Sequence, residues 1–337
     1  MNEVDIKAIQ TLLQTPKNIV IIPHKNPDSD AIGSTLALWH YLKNKGQEAI
    51  IVAPNDYPEF LKWMPGETEI VKFDTQQEIA EKLIKDANVI FTLDFNDLSR
   101  IGEMSGIVSQ SDATFIMIDH HQQPADYATH MYSDTKMSST AEMVYNFITY
   151  LGENDAITPE MASCLYSGIM TDTGSFRFSA TTSTTHRVIA DLMDKGAKNA
   201  EIHNAIYDTN SPSKLQLLGC ALNNMVVLEA YNTVYITLSK QELLHHDFRK
   251  GDTEGFVNYG LSLKGIKFAA IFIENLQEPY IKMSLRSKGD FSVNEFARTH
   301  FNGGGHTNAA GGRSNDSMED TVKNFTEILN AYKNELS

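Results

Sequence analysis

Phe115-Ile116-Met117-Ile118-Asp119-His120-His121 is an apolar run that ends abruptly on an acid and two imidazoles. Two other runs end the same way: Ile19-Val20-Ile21-Ile22-Pro23 stops at His24, and Val89-Ile90-Phe91-Thr92-Leu93 stops at Asp94. Near-continuous Val/Ile/Phe stretches of this length, separated by helix-periodic segments, read as strands of a parallel sheet buried on both faces. In such sheets ligands bind beyond the carboxyl ends of the strands, so three strands deliver His and Asp side chains to one edge. With the turn His24-Lys25-Asn26-Pro27-Asp28-Ser29-Asp30 and a fourth patch, Thr171-Asp172-Thr173-Gly174, these residues are expected to converge on one metal site.

Working outward, Val4–Leu13 and Ala31–Leu42 read as helices, the second stopped by Gly46. Glu48–Ala53 reads as a strand and Gln76–Ile84 as a helix, with Asp97–Val108 unassigned. The alternation up to Ile118 is that of a doubly wound α/β domain. Beyond it the pattern turns helical. Ser139-Thr140-Ala141-Glu142 opens one helix running to Tyr150 and Pro159 another running toward Asp172, followed by Thr185–Met193 and Ala200–Tyr207. The first domain is placed at 1–207 and a linker at 208–224, on the strength of the polar, proline-broken Asp208-Thr209-Asn210-Ser211-Pro212-Ser213. A smaller α/β domain, 225–337, follows. Its expected strands are Met225–Leu228, Thr233–Leu238, Phe268–Ile273 and Ile281–Leu285, and a last helix covers Met318–Tyr332.

The chain has 337 residues, 42% of them hydrophobic, enough for two separate cores. Cys164 and Cys220 form no CxxC pattern, which argues against a disulfide framework or a zinc finger. No apolar run approaches the roughly 18 residues of a membrane span, and the N-terminus lacks a basic signal-peptide start, so a soluble cytoplasmic protein without membrane partners is expected. A formal net charge of -15 disfavours a protein that coats long nucleic acid. It leaves room for a small anionic substrate held by metals and a few local cations.

A His-x3-Asp-x-Asp turn supplies hard oxygen donors and an imidazole, a mixture suited to Mn²⁺, Mg²⁺ or Fe²⁺ rather than to a structural zinc. Two such ions about 3.5–4 Å apart sharing a carboxylate activate water and stabilise both oxygens of a phosphoryl displacement. Taken singly, the same residues fit plainer roles: Asp30 as N-cap of the following helix, Asp172 as shaper of its turn, His121 as a structural imidazole. Their coincidence at strand ends favours the site. Phe301-Asn302-Gly303-Gly304-Gly305-His306 adds a segment in which backbone N–H groups approach an anion closely, with a helix start expected after it. Arg286 can fork onto a phosphate and His306 can donate to one. A flexible loop and an ordinary surface arginine are the alternatives there.

His24-x3-Asp28-x-Asp30, Asp94, Asp119-His120-His121 and Asp172 resemble, in order, the four motifs of the DHH phosphoesterase superfamily. Gly303-Gly304-Gly305-His306 with Ser284-Leu285-Arg286-Ser287 resembles the substrate-binding part of its associated C-terminal domain. The two-domain length is most similar to the nanoRNase/pAp phosphatase branch. By that resemblance one Mn²⁺ is held by His24, Asp28 and Asp94, and a second by Asp30, Asp94, His120 and Asp172, with Asp94 bridging. Asp119 then orients an imidazole, His121 meets the scissile phosphate, and Arg286, Gly303, Gly304, Gly305 and His306 hold substrate.

The expected activity is Mn²⁺-dependent release of 5′-mononucleotides from RNA of two to five nucleotides, together with 3′-phosphate removal from pAp. If the second domain grips a terminal phosphate, only short substrates span the cleft. The partners are short oligoribonucleotides or pAp, and a homodimer is compatible with the sequence. The rivals are a pyrophosphatase or polyphosphatase, a cyclic-dinucleotide hydrolase, and a non-catalytic nucleotide-binding regulator.

Overall fold

The computed structural model describes Met1 and residues 3–337. The chain divides into two units, Met1–Thr209 and Asn210–Ser337. In chain order the first unit carries α1 (Glu3–Leu12), β1 (Asn18–Pro23), α2 (Ser29–Asn44), β2 (Glu48–Ala53), β3 (Val71–Lys72), α3 (Gln77–Lys85), β4 (Val89–Leu93), α4 (Ser105–Val108), β5 (Thr114–Asp119), β6 (His130–Ser133), α5 (Thr140–Tyr150), α6 (Pro159–Asp172), α7 (Ser183–Asp194) and α8 (Asn199–Tyr207). Its strands form a parallel sheet of order β3-β2-β1-β4-β5-β6. The fold class is therefore α/β, as the runs of apolar residues imply.

Alternation within each run explains why both faces are dry. Ile19, Ile21, Phe91, Ile116 and Ile118 pack with residues of α2, α5 and α6 on one side. Val20, Ile22, Ile90 and Phe115 pack with α3 and α4 on the other. Two glycines set the helix spacing on the first face. A Cβ on Gly33 of α2 would lie 2.4 Å from the Cys164 carbonyl oxygen of α6, and one on Gly168 would lie 2.7 Å from Ala141 Cβ and 2.8 Å from Asp30 Oδ1. Only glycine lets α6 approach α2 and α5 this closely. That approach brings the last residue of α6, Asp172, to the site.

The strand order reverses direction at β1, with β2 on one side and β4 on the other, which creates a switch point at their carboxyl ends. Pro23 is in register with Leu93, and Leu93 with Ile118. The residues that follow each, His24, Asp94 and Asp119, thus form a row along one edge.

The second unit carries α9 (Pro212–Asn223), β7 (Val226–Leu228), β8 (Thr233–Leu238), α10 (Lys240–His245), α11 (Phe256–Leu261), β9 (Phe268–Glu274), β10 (Ile281–Ser287), α12 (Val293–His300), β11 (Gly304–His306), β12 (Ala309–Ser314), α13 (Met318–Ile328) and α14 (Lys333–Leu336). Its mixed sheet has the order β11-β12-β10-β9-β8-β7, with β8 and β9 parallel. One face packs Phe268, Phe272, Met283 and Leu285 against α12 and α13. The other packs Val234, Ile236, Ala269 and Ile271 against α9 and α11.

Several expectations are corrected. The segment 208–224 is not a linker throughout: Pro212–Asn223 is a helix, because Ser211 accepts from Lys214 N as N-cap and Pro212 occupies the first turn, where its missing N–H costs nothing. The division falls instead between Thr209 and Asn210. Asp97–Val108 resolves into a 3₁₀ stretch, Leu98–Met104, and the single turn of α4. The last helix is interrupted by a 3₁₀ turn at Leu329–Tyr332. The glycine segment is the edge strand β11 rather than a loop before a helix. Both cysteines are free thiols. Among the described residues no helix is long and apolar enough to cross a membrane.

Candidate metal centre

The turn after β1 holds two of the acids by backbone geometry. Asp28, not Asp30, is the N-cap of α2: its Oδ1 accepts from Asp30 N at 3.0 Å and Ala31 N at 3.1 Å. Its Oδ2 stays available and lies 3.9 Å from His24 Nε2. Asp30, buried in the first turn of α2, points instead at the start of α5. Its two oxygens accept from Thr140 N at 2.7 Å and Ala141 N at 2.8 Å, two donors at a helix N-terminus that have no intrahelical partner.

Asp94 lies at the centre, 2% exposed, with φ of +66°. Asp tolerates this left-handed conformation better than most side chains. Its Oδ2 is 3.5 Å from His24 Nε2 and its Oδ1 is 3.5 Å from His120 Nε2. Thr140 Oγ1 donates to Oδ1 at 2.9 Å. His120 Nε2 also lies 3.4 Å from Asp172 Oδ2 and 3.8 Å from Asp30 Oδ2.

The imidazoles are turned into the pocket by the backbone. His24 Nδ1–H donates to the Lys25 carbonyl at 2.9 Å and His120 Nδ1–H to the Met137 carbonyl at 3.2 Å, so in both rings it is Nε2 that faces the acids. His121 Nδ1 donates to Asp119 Oδ1 at 2.8 Å, and Asp119 is fully buried. Within this unit the structure brings together all eight of the first-domain residues singled out in the sequence: His24, Asp28, Asp30, Asp94, Asp119, His120, His121 and Asp172.

Electrostatics show what the pocket can hold. Burial pushes the Asp30 carboxyl well above the usual range, and the negative charges of Asp94 and Asp172 push it further. Asp172 is likewise raised, to about 6, by burial first and by Asp28 and Asp94 against the opposing pull of His120. For Asp94 burial acts upward too, but hydrogen bonds with His120 and His24 overcome it and hold the carboxyl well below the usual range. Burial disfavours imidazolium at His24 and His120, yet the Asp94 hydrogen bond and the surrounding carboxylates raise both. Among the described residues the ion-pair partners of Asp30, Asp94 and Asp172 are histidines alone. A set of carboxylates gathered around imidazole Nε2 atoms, which can exchange a proton for a metal ion, fits divalent cations. Within this unit the donors form overlapping sets, among them His24/Asp28/Asp94, Asp30/His120/Asp172 and Asp94/Asp119/His121, each with ligand atoms within 4.8 Å of one another.

The sequence did not point to Thr140. Its hydroxyl holds Asp94 and its N–H holds Asp30, and it is fully buried. Ser139-Thr140-Ala141-Glu142 reads as a helix start; the missing signal was that a helix N-terminus is itself a seat for an acid.

In the second unit, Arg286 of β10 pairs with Ala309 of β12, and Ala309 pairs with His306 of β11, so Arg286 and His306 occupy one row across three strands. The glycines have a different reason from the one read in the sequence. A Cβ on Gly303 would lie 2.0 Å from the Gly311 carbonyl oxygen, and one on Gly305 would lie 2.4 Å from that of Ala309. They allow β11 to lie against β12. The N–H of Gly303 donates to Ala297 O and that of Gly305 to Asn294 Oδ1, so neither is directed at an anion.

Residues 18–169 match the N-terminal domain of the DHH family and residues 230–336 match the DHHA1 domain. A bifunctional oligoribonuclease and PAP phosphatase from Thermus thermophilus is 32% identical over 95% of this chain and 90% of its own. The chain belongs to the DHH family of phosphoesterases. The corresponding Bacillus subtilis protein, also a bifunctional oligoribonuclease and PAP phosphatase, is 28% identical over 87% of this chain and 88% of its own. The crystal structure of an exopolyphosphatase-related protein from Bacteroides fragilis superposes with a TM-score of 0.95 at 43% identity, covering 99% of this chain and 98% of that one.

Proposed function

We propose that this chain hydrolyses very short RNA to 5′-mononucleotides and removes the 3′-phosphate of pAp, using two Mn²⁺ ions in the first unit. The observation that carries this reading is the pair of His/Asp donor sets joined at Asp94. His24, Asp28 and Asp94 would hold one ion, and Asp30, Asp94, His120 and Asp172 the other. Imidazole mixed with carboxylate suits Mn²⁺. When bound, the pair supplies Lewis acidity and charge neutralisation at a phosphoryl group.

The chain's own residues do the rest. Nδ1–H of His121 is fixed on Asp119, which sets the ring's orientation and leaves Nε2 for the substrate. Nε2 would then meet a phosphoryl oxygen of the substrate. Arg286 supplies a forked guanidinium for a second phosphate, and His306 a further donor in the same row. The names of the Thermus thermophilus and Bacillus subtilis relatives support the short-RNA and pAp substrates.

The second reading is cleavage of a polyphosphate chain, favoured by the likeness to the exopolyphosphatase-related protein of Bacteroides fragilis. Product analysis separates the two. Purified protein with Mn²⁺ is offered 5′-pApA, pAp, pyrophosphate, linear polyphosphate and an RNA too long for the proposed substrate class. Mononucleotide from pApA that disappears in Asp94→Asn supports the proposal. Cleavage of polyphosphate or pyrophosphate alone overturns the substrate and keeps the site.

Thr140→Val keeps the shape of the side chain but removes the donor to Asp94. It is expected to lower Mn²⁺ affinity or kcat by about 10–100-fold, as loss of a group supporting a metal ligand does elsewhere. Calorimetric titration with Mn²⁺ and steady-state kinetics check this, and Thr140→Ser should recover most of the loss. Equal affinity and turnover in Thr140→Val would remove Thr140 from the machinery.

A further inference from the structure

The outward face of the second unit's sheet is covered over only half its width. Helices α9 and α11 cover β8 and β9, where Ala269, Ile271 and Ile273 are buried. On the same face, Lys282, Ser284 and Arg286 of β10 are exposed or half-buried, as are Ala309, Gly311 and Arg313 of β12. The register pairs Arg286 with Ala309, Ser284 with Gly311, and Lys282 with Arg313. Between the arginine and the cation pair lies a floor of small residues, over a length of about 13 Å at roughly 3.3 Å per residue.

Lys282 and Arg313 are like charges placed directly opposite each other on antiparallel strands, an arrangement that costs stability. Neither has an acidic partner among the described residues, although the chain has 43 acidic and 28 basic residues. Two exposed, mutually repelling cations beside the row of Arg286 would be relieved by an anion lying between them.

We infer that Lys282 and Arg313 form a second anion subsite, which takes a backbone phosphate of the RNA beyond the one held by Arg286. This rests on the short-RNA reading above and adds a length dependence to it: with one phosphate on Arg286, a dinucleotide is too short to span the distance of about 13 Å to the cation pair, whereas a pentanucleotide is long enough. Ser284 and Gly311 leave room for the intervening nucleotide, because neither raises a large side chain above the sheet.

The test is the double variant Lys282→Gln/Arg313→Gln, whose exposed positions and relieved repulsion leave folding intact. Binding of a fluorescein-labelled RNA pentanucleotide and of labelled pApA is followed by anisotropy in chelator, where no turnover occurs. The pentanucleotide is expected to bind about tenfold more weakly to the variant, with the slope of log Kd against log salt shallower by about 0.7 for one lost phosphate contact. Affinity for pApA, and its KM with Mn²⁺, should stay within about twofold. Equal weakening of both ligands, no weakening of either, or no pentanucleotide binding by the parent chain overturns the subsite. So does weakening confined to competing linear polyphosphate. If the parent binds the pentanucleotide through these residues but cleaves no RNA, the subsite stands and the proposed activity fails.

Discussion

Asp94→Asn is expected to lower kcat on pApA by at least about 10³-fold, equivalent to roughly 4 kcal/mol of transition-state stabilisation. Among the described residues Asp94 is the carboxylate that pairs with both His24 and His120, with one oxygen toward each. Removing its charge deprives both proposed ions of a shared ligand. Asparagine is the informative replacement, because the position has φ of +66° and Asn accepts that conformation as Asp does. Alanine there would add backbone strain to the chemical loss, on the order of 1 kcal/mol or more. Steady-state kinetics with calorimetric Mn²⁺ titration check the result. Normal turnover in Asp94→Asn would show that the reaction does not depend on this centre.

Asp30→Ala should be the most destabilising change at the site, even without metal. Two effects compete. Removing an acid from a crowd of acids relieves its repulsion with Asp94 and Asp172, the charges that, with burial, raise the Asp30 carboxyl above the usual range. Against this, the N–H groups of Thr140 and Ala141 lose their acceptor in a buried place. Orphaned buried donors cost about 1–3 kcal/mol each, so a loss of roughly 2–6 kcal/mol is expected. For a unit of this size that lowers Tm by roughly 5–20 °C in chelator. Asp30→Asn keeps one acceptor and should fall between. A rise in Tm for Asp30→Ala would mean that repulsion outweighs the α5 contacts.

The sheet and the gathering of the candidate ligands were legible for one reason: each central strand is a short apolar run that stops on a charged or imidazole residue, and parallel-sheet geometry puts such stops on one edge. The edge strands β3 and β6 were not legible. Val71-Lys72 is too short to show a period, and His130-Met131-Tyr132-Ser133 has no apolar run. The cap of α2 was misplaced because the helix begins with buried polar residues, Ser29 and Asp30, which apolar periodicity does not register. Ser211-Pro212 was read as a break because a proline after a serine ends one element and starts another with the same letters. The glycine segment misled for a related reason: glycine permits close approach, but composition alone does not say whether the approaching group is an anion or a neighbouring strand. Thr140 lay hidden because its contacts depend on how α5 docks, at sequence separations of 46 and 110 residues from the acids it holds.

The spread of the donor residues along the chain has a bearing on biosynthesis. His24, Asp94 and His120 are synthesised first, but Asp172 is the last residue of α6, and α6 packs through Gly33 and Gly168. A nascent chain therefore cannot assemble the full donor set until α6 has cleared the ribosome, and a truncated product ending before it carries only a partial, acid-rich cradle. Completion of the donor set is in this sense timed by translation.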